Sequence, residues 1–199
     1  MNLISLSLKT NQIIMKKCVL IFALAFLGTN AFAQDIDAIG KLYNDKKYAD
    51  AKTAIDKFLA DTKNANNADA WYFKGRIYNS LAAEATTPKA QAFEYRLKAF
   101  EAYQNNQKYD AKDLRLKVDM WVPYLEIYAG LYDLGAAQFN DKDYESSLNS
   151  FAKALEVENF ILAKKYEYSQ IKLHALDTAL VLNAAVAATQ SKKNDEAMM

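Results

Sequence analysis

The chain has 199 residues and a near balance of charge, 25 lysines and arginines against 24 aspartates and glutamates. That length fits one domain with enough apolar content for a core, and the balance gives neither a strongly basic field for nucleic acid nor a long acidic tail. Four glycines beyond residue 33 and two prolines, Pro88 and Pro123, are too few for many short strands, so the composition favours helices.

In chain order, the first element is a leader. Lys16 and Lys17 precede the apolar run from Cys18 to Leu27, and Ala31-Phe32-Ala33-Gln34 closes it with a small-x-small site. A positive stretch, a short apolar stretch and an A-x-A exit form a secretory signal peptide over residues 1–33, with cleavage expected after Ala33 and Met15 a candidate true start. The apolar run is shorter than the ~20 residues a membrane span needs. A buried N-terminal helix is the structural alternative. Cleavage removes Lys9, Lys16, Lys17 and Cys18, which leaves net charge −2 and no cysteine. The mature part then has no disulfide and no thiolate nucleophile or ligand. Cys18 stands before the apolar run, not after it where an acylated lipoprotein cysteine would lie. The expected destination is the periplasm or the exterior, with no stable membrane insertion once the leader is removed.

Beyond the leader, one helical pattern returns. Tyr48-Ala-Asp-Ala51 through Phe58 recurs around Ala99 and Tyr103, again from Tyr144 to Leu155, and a fourth copy begins at Asn194. The small residues Ala51, Ala99, Ser147 and Ala197 are 48, 48 and 50 positions apart. A second helical stretch precedes each, and Ile39–Ala51, Gly135–Ser147 and Ala185–Ala197 share an offset of 12. A fixed offset describes two helices joined by a short turn, with small side chains at the close approach and larger apolar ones filling the groove.

Trp71, Gly75 and Tyr78, then Leu134-Gly135, Tyr144, Phe151 and Ala154-Leu155, resemble the tetratricopeptide repeat, a helix–turn–helix unit of about 34 residues. The resemblance covers residues 34–199 as an all-α array of about three and a half repeats with irregular inserts. It implies core positions for Trp71, Tyr78, Tyr103 and Phe151. Departures from the pattern are the 12 extra residues between Gly75 and Ala99, expected near Ala83–Pro88, extra residues at 108–120 and 158–174, and no closing proline. Proline at 88 suits the first turn of a helix. The fourth copy ends one turn into its second helix, after a helix expected at Thr178–Gln190, and is read as part of a longer protein or as an end covered by a partner.

Catalytic chemistry finds little support. His174 is the only histidine, and no cysteine remains to join it at a transition metal. The sequence holds no Walker loop, dinucleotide glycine pattern, G-x-S-x-G or H-E-x-x-H. Carboxylates are many, but nothing singles out a pair, and acids alternating with lysines read as a solvated helix surface. No cofactor is expected, and the chain is read as non-enzymatic.

The 13 tyrosines carry the functional reading. In the family that the chain resembles, the first helix of each pair lines a concave surface. The register then places Tyr43, Tyr72, Arg76, Asn79, Tyr132 and Phe139 on it, as a surface for a protein or peptide. Tyrosine and arginine suit binding hot spots because they join large area to hydrogen bonding. The paired lysine and asparagine with which some family members grip a peptide carboxylate have no counterpart: those positions hold Ile36, Gly40, Tyr72 and Arg76. Glycan binding through stacked aromatics is the alternative, weakened by having only Trp71 and Trp121. Self-association, or a structural role within a longer protein, is a third reading.

Overall fold

The computed structural model describes residues 36–168, 173 and 177–198, with side chains through Lys192. The leader, Cys18 and His174 lie outside the described residues. Among those residues the chain is all α-helical: α1 Ile36–Asn44, α2 Tyr48–Ala60, α3 Ala68–Ala83, α4 Lys89–Tyr109, α5 Leu114–Val118, α6 Val122–Asn140, α7 Tyr144–Lys164 and α8 Thr178–Met198. No helix among the described residues is long and apolar enough to cross a membrane.

Helices joined by short turns pack as antiparallel pairs: α1 with α2, α3 with α4, α6 with α7. Two of the turns match bond for bond. Asp45, Lys46 and Lys47 donate to the carbonyls of Lys41, Tyr43 and Leu42, and Asp141, Lys142 and Asp143 donate to those of Ala137, Phe139 and Gln138. The middle lysine is left-handed in both, at φ 58° for Lys46 and 66° for Lys142. Across each turn an aromatic pair closes the hairpin, Tyr43 on Tyr48 at 5.5 Å and Phe139 on Tyr144 at 5.1 Å. The αL residue reverses the chain, and the staple fixes the angle at which the second helix returns.

Glycines set the closest approach within pairs. A Cβ on Gly75 would collide with the Tyr103 ring, and one on Gly135 would lie 2.8 Å from Phe151. Tyr78, Tyr103 and Phe151 are each at most 2% exposed, as expected for core positions. Trp71 is a correction. It stays half-buried outside the apolar clusters, its indole N–H donating to the Ala65 carbonyl at 2.7 Å and Lys74 lying over its ring. Tyr72, the next residue, is the buried one because the helix turns that face toward Tyr103.

The 12 extra residues of the second pair enter the structure mainly as helix. Helix α3 runs on to Ala83, the connection is short, and Pro88 precedes an α4 that has ten residues before Ala99. Residues 110–121 form an insert around α5. It is pinned by buried Leu116 and by Asp113, which accepts from Gln107 and from the Trp121 indole at 3.1 Å each. Trp121 stacks on Tyr166 at 4.6 Å. At the far end, α8 continues unbroken through Asn194, so the turn and new helix expected there are not formed.

Candidate functional site

Helix α3 is stitched to the α5 insert and to α6 by polar contacts. Arg115 pairs with Asp69 at 2.9 Å, the Tyr72 hydroxyl donates to Asp119, and Asn79 donates to Glu126 at 3.0 Å. These partners are 46 to 47 residues apart in sequence. Farther along, Tyr128 donates to Asp177 and Asn183 to Tyr132, at separations of 49 and 51. Helix α6 therefore lies alongside α3 in parallel register, and α8 continues the series after α6.

Between these helices lies a cleft of about 710 Å³. Tyr43 reaches it from α1; Arg76, Asn79, Ser80 and Ala83 line it from α3; and Pro123, Glu126, Gly130 and Asp133 from α6. A second cleft, about 810 Å³, runs toward the start of α3 and is walled by Asp69, Tyr72, Tyr109, Leu114, Arg115 and Val118. Arg76 and Asp119 line both.

The two arginines of the first cleft are held differently. The Arg76 guanidinium lies 4.7 Å from the centre of the Tyr43 ring and 5.7 Å from that of Tyr72, and it donates to the Tyr72 hydroxyl at 3.3 Å. None of the ion pairs among the described residues includes it. Stacking on ring faces is a geometry a planar guanidinium suits. Arg96 is 9% exposed and donates to the Asn79 side-chain oxygen and to the Glu126 carbonyl. Gly130 makes room for it, since a Cβ there would strike the guanidinium. Burial draws the Arg96 pKa below its ordinary value against the opposing pull of Glu126 and Asp133, but an arginine keeps its proton.

Burial, then the hydrogen bond to Asp119, pushes the Tyr72 hydroxyl up to about 12. That proton stays in place at neutral pH, so Tyr72 and Asp119 act as a structural link between α3 and the start of α6. Among the described residues no group of three histidines, cysteines or carboxylates is placed to hold a metal.

The six residues picked from sequence divide into groups. Tyr43, Arg76 and Asn79 come together in the first cleft, with Asn79 mostly buried at 8% exposure. Tyr72 is 4% exposed and works as floor and tie, with its edge reaching the second cleft. Tyr132 and Phe139 face α8. Tyr132 accepts from Asn183, and Phe139 lines a separate apolar cleft of about 250 Å³ with Phe151, Leu182 and Val186. Sequence reasoning missed Arg96, Glu126, Asp133 and the α5 residues. Arg96 sits on a second helix and reaches the cleft only because Gly130 is opposite, and the acids have no motif beyond their seven-residue spacing. Comparison with protein-family models, curated proteins and solved structures gave no match.

Proposed function

We propose that the chain is a non-enzymatic, exported scaffold of tetratricopeptide type, and that the groove along α1, α3 and α6 binds a protein partner. The observation that carries this reading is the pair of adjoining clefts sharing Arg76, a guanidinium stacked between tyrosines with no carboxylate of the described residues in ion-pair reach. Such a group offers donors to a partner's carbonyl or carboxylate oxygens without first breaking a salt bridge. The repeat reading draws support from the two identical turns 96 residues apart, from the matching glycine–ring contacts, and from cross-links at separations near 48. The leader in residues 1–33 supports export, and N-terminal sequencing of the processed protein should then start at Gln34.

The test is crosslinked capture from an envelope extract. Arg76→Glu should remove a specific partner, while Lys153→Glu on α7 should leave it bound. Equal capture by both variants would sink the groove assignment.

A further inference from the structure

The clefts differ in chemistry from end to end, and the difference selects a ligand. In the first cleft one cation is withdrawn: Arg96 is buried and donates to the Asn79 side chain and the Glu126 backbone carbonyl, while Arg76 is covered on its faces by two tyrosine rings and offers only its edge. The carboxylates are outward. Glu126 and Asp133 are both exposed on α6, and Asp133 makes no hydrogen bond or ion pair with a described residue. A ligand arriving there meets negative charge first. In the second cleft the charged groups are mostly used: Asp69 is paired with Arg115, and Asp110 accepts from the backbone N–H groups of Lys112 and Leu114. The apolar side chains that cleft presents are Leu114 at 57% and Val118 at 80% exposure, beside a nearly equal share of polar lining. Exposure of that size on a short helix held fast by Leu116 and Asp113 is not explained by packing within the chain.

Resting on the groove reading above, we infer that the joined clefts take an extended basic–apolar peptide. A lysine or arginine side chain lies against Glu126 and Asp133, an apolar side chain lies against Leu114 and Val118, and the intervening backbone crosses Arg76. The α3 wall from Asn67 to Ala83 spans about 24 Å at the helical rise. About seven extended residues cover that distance. Charge complementarity of this kind sets specificity and approach rate more than raw affinity, and salt weakens it.

Fluorescence anisotropy on the purified full chain tests it with three labelled octapeptides, each made in both chain directions. The first carries two lysines at one end and two leucines at the other, separated by four serines. The second replaces the lysines by glutamates, and the third replaces the leucines by serines. The first should bind at least about tenfold more tightly than the second, an advantage that falls as salt is raised. Glu126→Gln with Asp133→Asn should erase that preference. Leu114→Ser with Val118→Ser should erase the preference of the first peptide over the third and leave the charge preference intact. All four residues are exposed, and circular dichroism checks that the variants keep their helix. Equal or tighter binding of the glutamate peptide overturns the inference, as does failure of all three to bind. If the glutamate peptide binds and Arg76→Ala abolishes it, the groove reading survives and only the basic class falls.

Discussion

At Gly75 and Gly135 the helix axes come close enough that the facing ring occupies the space of a side chain. Alanine there gains up to ~1 kcal/mol of helix propensity but drives a methyl into Tyr103 or Phe151. Overpacking of a tight core costs about 1–3 kcal/mol, so the packing term wins. Gly75→Ala and Gly135→Ala should each lower the thermal midpoint by several degrees, at roughly 2–4 °C per kcal/mol for a chain of this size. Gly40→Ala should be near neutral, because its nearest neighbour is the half-buried ring of Phe73 at 3.0 Å, which has room to swing. Melting curves of the three variants check the order. Gly135 was legible in sequence through its 12-residue offset from Ser147, and Gly75 through its place between Trp71 and Tyr78.

Also at the residue scale, Tyr72 links stability to alkaline pH. The folded chain holds its proton more tightly than the unfolded chain, with the hydroxyl raised by burial and Asp119 to about 12 from 10. The stabilisation is therefore fully present below pH 10 and is lost as pH climbs toward 12. Tyr72→Phe keeps the ring and removes the donor. It should cost about 1 kcal/mol at pH 7, and the fall in stability between pH 10 and 12 should become shallower. Urea denaturation across that range measures both. An equally steep fall would show that the Tyr72 proton is not linked to folding.

At the scale of elements, the helical hairpins were readable and the inserts were not. Tyr48 and Tyr144 start second helices because each follows a turn that opens Asn-Asp-Lys, closed by Lys47 in one and Asp143 in the other. The extra residues between Gly75 and Ala99 carry no mark that tells helix from loop, and they extend both helices because Ala92, Arg96 and their neighbours find packing there. Tyr132 was placed by the register that placed Tyr72, and neither forms open groove surface: at that position the helix turns toward its packed neighbours. The α5 insert is the element with most backbone strain, with Asp113 at φ 52°, Met120 at 49° and Trp121 at 54°. Beside buried Leu116, its polar anchor is one carboxylate. Asp113→Ala would leave the Gln107 amide and the Trp121 indole without that acceptor and put a β-carbon without a polar tip into the left-handed region. Limited proteolysis should then cut within residues 110–121 well before the rest of the chain, whereas an unchanged cleavage pattern would assign the anchoring to Leu116 and the Trp121–Tyr166 stack.

At the scale of the molecule, the long helices pack on their neighbours in the chain, and α1 also meets α3 and α3 meets α6, so these first helices form one continuous side. Sequence brought Tyr43, Arg76 and Asn79 to one cleft, because they follow from the spacing of α1 and α3. It left the other wall blank, because α6 contributes the stretch from Val122 to Asp133, where two acids stand among apolar and small residues without a pattern. The central claim is that this side is where a partner sits. Photo-crosslinking tests it most directly, with a photoreactive residue at Ser80 in the groove, at Lys153 on α7 and at Leu182 on α8, each in the full chain within envelope extract. The account predicts one discrete crosslinked partner from Ser80, lost on addition of Arg76→Glu, and none from Lys153. A partner captured from Leu182 or Lys153 but not from Ser80 would contradict it.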